Sequence, residues 1–243
     1  MVGERDPTAD SPASPGPPGE PTPSATRRPA IGESAIATGR GDDGTTGLLY
    51  GGARIAKDDP RAEAYGTIDE VVATLGLARA ELGLKAQYGL LPPSLSGMAD
   101  LILRLQRELF VVGAELAVNR DAWDRLEDGV TRVSEPMVTG LERTLTDLER
   151  HIAMPREFVV PGETRLSAAV ELARTMLRRA ERRIVGLQRQ GLVPGKWLIP
   201  YVNRLADLLW VLARAAEQGE SRAAPPSRPR TGGRRRRAAP GSP

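Results

Sequence analysis

The chain has 243 residues, no cysteine, a single histidine and a formal net charge of +3 at pH 7. Disulfides, cysteine nucleophiles and thiolate or multi-histidine metal sites are therefore excluded. No apolar run reaches the roughly 18–20 residues that span a bilayer, and the N-terminus lacks the apolar core of a secretory signal. A cytoplasmic protein without a membrane span is the expectation.

Both ends of the chain have the composition of unstructured segments. Residues 1–30 are rich in Pro, Ser, Gly and Thr, and residues 219–243 are similar with added arginine. Such segments bury too little apolar area to offset the entropy of ordering them. We therefore predict a disordered N-terminal extension over 1–30, a folded domain over 31–218 and a disordered Arg-rich tail over 219–243. The arginines of the tail account for the positive charge, so the folded part is slightly acidic.

The first predicted element is a loop over residues 38–52, which reads TGRGDDGTTGLLYGG. Its glycines permit positive φ and let backbone N–H groups converge on an anion, while threonine hydroxyls and the nearby Lys57 add donors. The loop is not a P-loop, because no Gly-Lys-Ser/Thr follows and no strand precedes it. A phosphate-binding loop and an ordinary flexible loop both remain open.

Five stretches with apolar residues at helical spacing follow the loop. The first covers residues 60–84 and begins with good start signals, a capping aspartate and then Pro60. The five apolar seams begin at Ala64, Met98, Val138, Leu166 and Val202. Each seam is typical of a helix packed at the shallow angle of a bundle. Strand signals are limited to a short extended piece at residues 158–160. The sequence thus predicts an all-α five-helix bundle behind a Gly/Thr-rich N-terminal loop.

The fourth helix carries charged residues beside its seam. Arg174, Arg178 and Glu181 stand at i, i+4 and i+7, and therefore form one stripe. Such a stripe can form a bidentate clamp for a polyphosphate. It can also be a solvated face with Glu–Arg pairs worth about 0.3–0.5 kcal/mol each. Taken alone, the stripe favours the solvated face.

Polar residues also flank the seams of the first and fifth helices. Asp69 follows the buried position Ile68, and an unpaired buried carboxylate is costly, so we expect an arginine of the fourth helix as its partner. Asn203 and Asp207 lie one turn apart on the fifth helix. Asn203 can donate to a phosphate oxygen and Asp207 can orient an arginine, or both can pair between helices.

Several sequence blocks together point to one family. They are GDDGTTG at 41–47, KDDPR at 57–61, EAYGTIDE at 63–70, FVVPG at 158–162, ARTMLRRAERR at 173–183 and YVNRLADLL at 201–209. In order and spacing, over residues 38 to about 217, this set resembles the ATP:cob(I)alamin adenosyltransferases of the propanediol-utilisation type. The resemblance implies a homotrimer of five-helix bundles with active sites between subunits.

The resemblance also implies a role for individual residues. The N-terminal loop would contact the ATP triphosphate through Thr38, Gly39, Arg40, Gly41, Thr45, Thr46 and Lys57. The nucleotide site would be completed by Arg178, Arg179, Glu181, Arg182 and Asn203, with Mg²⁺ on the phosphates. Arg174 would pair with Asp69, and Phe158 would face the lower side of the corrin.

The implied chemistry suits a chain without cysteine and with one histidine. Cob(I)alamin is itself a strong nucleophile whose cobalt attacks C5′ of ATP, so the protein supplies positioning and electrostatic stabilisation of the leaving triphosphate. An apolar wall at Phe158 would keep water and the lower ligand off cobalt, which favours four-coordinate cob(II)alamin and its reduction. A reductase and a downstream adenosylcobalamin-dependent enzyme are the expected partners.

Two departures from the family pattern leave an alternative open. Thr38-Gly39-Arg40 stands where the family usually has Thr-Arg-Thr, and Glu163 replaces a glycine. A cobalamin carrier of the same fold with little turnover would fit these changes. A second alternative, a bundle whose tail binds nucleic acid, has little support, because four arginines without interleaved aromatics give only salt-sensitive binding.

Overall fold

The computed structural model describes residues 36–228. Residues 36–43 belong to a unit separate from the one that begins at Gly44. Within the first unit, the Asp42 N–H donates to the Gly39 carbonyl at 3.2 Å, and Gly39 has a φ of 65°. This tight turn needs the positive φ that glycine adopts without strain.

The second unit begins with a short hairpin that the sequence did not predict. Strand β1, Thr45–Thr46, pairs antiparallel with β2, Ile55–Ala56. Two-residue strands are too short to show the alternating pattern from which strands are predicted. Thr45 and Thr46, which the sequence placed in a loop, therefore could not be recognised as paired. The Leu49 N–H donates to the Ala117 carbonyl at 2.7 Å and so ties the hairpin to the end of the second helix.

Five α-helices follow, as predicted, and the all-α bundle is confirmed. They are α1 Pro60–Gln87, α2 Met98–Leu116, α3 Glu135–Glu149, α4 Arg165–Arg189 and α5 Leu198–Gly219, with 3₁₀ turns at Pro93–Leu95 and Arg120–Arg125. The Asp59 carboxylate accepts from the Arg61 N–H at 2.8 Å and caps α1. Thr164 and Ser167 form a capping box at the start of α4.

The apolar seams meet in one core. α4 packs against α1 and α5, α2 packs on α1, and α3 packs on α5. Seam residues such as Ile68, Leu105, Leu177 and Leu205 are almost fully buried, as their spacing predicted. The third helix is shorter than expected, because it ends at Glu149 and leaves the last predicted seam residue in the following loop. Within residues 36–228, no helix is long and apolar enough to cross a membrane.

A buried carboxylate organises two loops at one end of the bundle. Glu115, near the end of α2, is 1% exposed and accepts from the Val133 N–H at 2.7 Å and the Gly195 N–H at 3.0 Å. Burial raises the pKa of Glu115 to about 7, although the two N–H donors and Arg132 act in the opposite direction. Glu115 therefore links the loop before α3 to the loop before α5.

The stretch after α5 returns to the bundle. The Val160 N–H donates to the Pro225 carbonyl at 2.9 Å, and the Ser227 N–H donates to the Phe158 carbonyl at 2.7 Å. We call residues 225–227 the return strand. The sequence predicts disorder from residue 219 onward. In the structure, the N–H groups of residues 220–222 donate to the last turns of α5, and the return strand pairs with the segment around Phe158. Residues 1–35 and 229–243 lie outside the described residues, so the predictions for 1–30 and for the rest of the tail stay predictions.

Candidate functional site

The hairpin places three of the predicted nucleotide residues close together. Thr45 and Thr46 form β1, and the Lys57 N–H, just beyond β2, donates to the Gly44 carbonyl at 2.9 Å. Arg54 crosses the hairpin and donates to the Thr45 hydroxyl at 2.7 Å and to its carbonyl at 2.9 Å. Arg54 is not among the residues predicted from the sequence, where a cation two residues after the Gly-rich loop was the available signal. Two cations and two hydroxyls thus share one short hairpin.

The remaining predicted loop residues lie in the separate unit. Thr38, Gly39, Arg40 and Gly41 all fall within residues 36–43. Their contact with a nucleotide therefore stays a prediction. The unit's own turn already orients backbone N–H groups, as the bond from Asp42 to Gly39 illustrates.

A polar cluster joins α4 to α5. The Asn203 side-chain amide donates to Glu181 Oε1 at 3.2 Å, and Glu181 Oε2 lies 3.6 Å from Arg178 Nη1. Arg182 donates to the Arg178 backbone carbonyl at 2.9 Å, and Arg204 donates to Asn203 Oδ1 at 2.9 Å. We call Arg178, Glu181, Arg182 and Asn203 the α4–α5 cluster. It holds two guanidinium groups near one carboxylate and one amide, a combination suited to phosphate oxygens.

Arg179 lies apart from that cluster. It pairs with Glu70 on α1, as Arg183 pairs with Glu63. Arg183 also donates to the Thr67 hydroxyl. These contacts follow from the 3.6-residue period, because Arg178 and Arg182 point toward one side of the helix and Arg179 and Arg183 toward another. Within the described part of the chain, Arg179 therefore joins α1 to α4 and is not brought to the Arg178 side.

The expected ion pair between Asp69 and Arg174 is not formed among residues 36–228 of a single chain. Arg174 Nε instead donates to Glu171 Oε2 at 2.7 Å, because Glu171 lies one turn earlier on the same helix. Asp69 is on the exposed face of α1. Partial desolvation on that face raises the pKa of Asp69 above its ordinary value.

Phe158 and Arg174 line the same open cavity. Its volume is about 640 Å³, and Phe158 is 87% exposed. The lining residues are Pro155, Arg156, Glu157, Phe158, Val159, Pro161, Glu171, Arg174, Trp210, Ser227 and Arg228. Trp210 and Glu171 are not among the residues predicted from the sequence. The only signal for them was that each stands next to an apolar seam position of its helix. A lining that combines aromatic and apolar side chains with arginines suits a large, partly polar ligand.

Comparisons with known proteins identify the family of the chain. Residues 36–216 match the family model described as Cobalamin adenosyltransferase. The corrinoid adenosyltransferase of Citrobacter freundii is 38% identical over 185 residues, which are 75% of this chain and 94% of that protein. The Mycobacterium leprae corrinoid adenosyltransferase is 34% identical over 192 residues, 78% of this chain and 95% of that protein. A variant PduO-type ATP:corrinoid adenosyltransferase from Lactobacillus reuteri, solved with cobalamin and ATP, is 27% identical with a TM-score of 0.66, covering 78% of this chain and 97% of that one.

Proposed function

Because this chain belongs to the cobalamin adenosyltransferase family, we propose that it transfers the 5′-deoxyadenosyl group of ATP to the cobalt of cob(I)alamin. The products are adenosylcobalamin and triphosphate. The observation that carries the proposal is that α4 contributes to both halves of the site. Arg174 lines the cavity of Phe158, and Arg178, one turn later, belongs to the α4–α5 cluster.

The reaction forms one bond and breaks another. A cobalt–carbon bond forms at C5′ while the bond from C5′ to the triphosphate oxygen breaks, and the electron pair leaves with the triphosphate. The chain therefore has to stabilise negative charge that grows on the leaving group. Arg178 and Arg182 supply positive charge, while Glu181 and Asn203 orient Arg178. Thr45, Thr46 and Lys57 would contact the phosphates from the hairpin.

The corrinoid half of the site has a different task. Phe158 presents an exposed aromatic ring at the wall of the cavity, and Trp210 lies on the α5 side of the same cavity. We propose that this apolar wall keeps water and a lower ligand away from cobalt. A four-coordinate cob(II)alamin is easier to reduce, so the wall helps to generate the nucleophile.

A homotrimer with sites between subunits is part of the proposal. Asp69 is exposed and lacks an ion pair within residues 36–228, while the Arg174 side chain is 26% exposed and uses only Nε in its pair with Glu171. An ion pair between Asp69 of one subunit and Arg174 of the next would use the remaining nitrogens. It would also give the Asp69 carboxylate the partner that it lacks among residues 36–228 of its own chain.

The remaining partners are inferred from the chemistry. We propose that Mg²⁺ travels with the triphosphate. Residues 36–228 contain no group of three or more histidine or acidic side chains that would cage a metal. Cytoplasmic location, a reductase that delivers the electron and a downstream adenosylcobalamin-dependent enzyme complete the proposal. Nucleic acid is not among the proposed partners.

An anaerobic assay tests the function directly. Purified protein is mixed with chemically reduced cob(I)alamin, ATP and Mg²⁺, and the loss of Co(I) absorbance is followed. We expect many turnovers of adenosylcobalamin, and we expect Arg178→Ala to reduce kcat/KM by roughly a hundredfold. Arg189→Ala, an exposed position at the end of α4, is the matched control and should behave like the wild type. Corrinoid binding without turnover would instead support the carrier.

A further inference from the structure

A row of buried charges leads from the interior of the bundle to the cavity. Its inner member, Arg214 on α5, is 2% exposed. Arg214 Nη2 lies 3.2 Å from Glu171 Oε1 and donates to Glu217 Oε1 at 2.9 Å. The guanidinium also stacks over Trp210, with 5.7 Å to the ring centroid. Arg214 therefore contacts one carboxylate on α4, one on its own helix, and a residue of the cavity wall.

Glu171 connects this buried arginine to the site. Its side chain is 6% exposed, and each carboxylate oxygen has its own cation. Oε1 faces Arg214, and Oε2 accepts from Arg174 Nε at 2.7 Å. Arg174 in turn lines the cavity beside Phe158. We call Arg214, Glu171 and Arg174 the charge relay of α4 and α5, with Glu217 balancing the charge of Arg214 on its other side.

Stability alone does not explain this arrangement. Removing several charges from water is costly, and well-packed apolar residues are often equally or more stabilising than a buried ion pair. In addition, Arg214 Nη1 is buried without a hydrogen-bond partner among residues 36–228, which adds a further cost. The relay does restrict Arg174, because engagement of Nε fixes the plane of the guanidinium and leaves both Nη groups for a second acceptor.

We propose that Glu171 and Arg214 are positioning residues for the corrinoid step. They hold the Arg174 guanidinium at the cavity wall, and the stacking of Arg214 on Trp210 fixes the neighbouring aromatic wall. Neither residue has to touch ATP for this role. The proposal rests on the proposed function and specifies which side chains outside the family's motif blocks prepare its corrinoid half.

Two isosteric variants separate positioning from simple stabilisation. Glu171→Gln and Glu217→Gln each remove one buried carboxylate charge from Arg214. Only Glu171 also contacts Arg174. A purely structural cluster predicts the same loss of activity in both variants. The relay predicts a loss in Glu171→Gln alone, even where both variants have a similarly lowered Tm.

Steady-state kinetics with each substrate varied in turn provide the test. In Glu171→Gln we expect kcat/KM for the corrinoid to fall about tenfold or more, with an unchanged KM for ATP, and in Glu217→Gln both constants should stay within about twofold. Equal effects in both variants, or an equal rise in both KM values, would overturn the proposal. A wild-type protein that forms no product would overturn the proposed function itself, and the relay with it.

A second variant keeps the test valid if Glu171→Gln does not fold. The triple change Glu171→Gln, Arg214→Met and Glu217→Gln removes the three buried charges together, so none of these three is left without a partner. Arg174 again loses its carboxylate partner, so the folded triple variant should show the same selective loss for the corrinoid. A wild-type kcat/KM for the corrinoid in that variant would contradict the relay.

Discussion

Asn203 on α5 donates a hydrogen bond to Glu181 on α4, with 3.2 Å between Nδ2 and Oε1. The same carboxylate lies 3.6 Å from Arg178, and Asn203 Oδ1 accepts from Arg204. Asn203 thus orients the Glu181 carboxylate, and Glu181 in turn orients the Arg178 guanidinium. The cluster depends on side-chain contacts between two helices that also share the apolar core. We therefore expect small changes to these side chains to lower nucleotide binding more than the free energy of unfolding.

The first prediction concerns this amide. Asn203→Ala removes the donor to Glu181, which frees Glu181 and so loosens Arg178. We expect kcat/KM for ATP to fall about tenfold, equivalent to about 1.4 kcal/mol, with corrinoid binding unchanged. Asp207→Asn, one turn further along α5 and exposed, is the control. Steady-state kinetics check the prediction, and equal effects of the two changes would argue against a role for the amide.

The second prediction concerns the subunit contact. If Asp69 and Arg174 pair between subunits, Asp69→Asn and Arg174→Gln should each weaken a trimer seen by analytical ultracentrifugation. Together they should be non-additive by about 1–3 kcal/mol in the free energy of assembly. Glu70→Gln combined with Arg174→Gln is the control, because Glu70 pairs with Arg179 within the chain. Additive effects in both cycles, or a monomer at every concentration, would exclude the proposed pair.

The third prediction concerns pH. Burial raises the pKa of Glu115 from 4.5 to about 7, so the folded state binds this proton more tightly than the unfolded state. The contribution of Glu115 to the free energy of unfolding is therefore full below pH 4.5 and is lost as pH rises to 7 and above. The loss is on the order of 1–3 kcal/mol.

Comparison with a neutral variant isolates that contribution. Glu115→Gln cannot accept from both the Val133 and Gly195 N–H groups, so it should be less stable than the wild type at pH 5. The difference in the free energy of unfolding between the two proteins should be smaller at pH 8, where the wild type has lost the contribution of protonated Glu115. Denaturant titrations at both pH values measure it, with the exposed Glu149→Gln as control. A difference that does not change with pH would contradict the assignment.

The fourth prediction uses the crowding around the same carboxylate. A Cβ added at Gly195 would overlap with Glu115 Oε1, so Gly195→Ala must displace the side chain that links the two loops. We expect a loss of about 1–3 kcal/mol in the free energy of unfolding. Gly140→Ala inside α3, where a Cβ meets nothing within 4 Å, should instead stabilise by about 0.5–1 kcal/mol. Thermal melts of both variants check the contrast.

The sequence predicted what depends on local periodicity. The seams through Ile68, Leu177 and Leu205 were correct, because burying one face of each helix decides which residues form the core. The start signal of α1, a capping aspartate followed by Pro60, acts within a few residues and is equally readable.

The features that the sequence did not predict depend on contacts between residues far apart in the chain. Glu115 meets Val133 and Gly195 across two loops, and Arg214 meets Glu171 across two helices. Neither pairing can be predicted from the spacing of residues along the sequence. The sequence predicts that Asp69 is partly buried and pairs with an arginine of α4. In the structure Asp69 is exposed, because the rotation of α1 about its own axis turns this residue away from α4. Such rotations follow from the whole packing arrangement.

The return strand has a consequence for how the cavity lined by Phe158 opens. The loop that carries Phe158 is hydrogen-bonded to residues 225–227 through two backbone bonds, and it leads directly into the capped start of α4. Displacement of Phe158 by a few ångströms therefore requires both bonds to break together. The amide protons of Val160 and Ser227 should exchange with solvent at one common rate, as a single cooperative opening. That rate sets an upper limit on how quickly this wall can rearrange around a ligand.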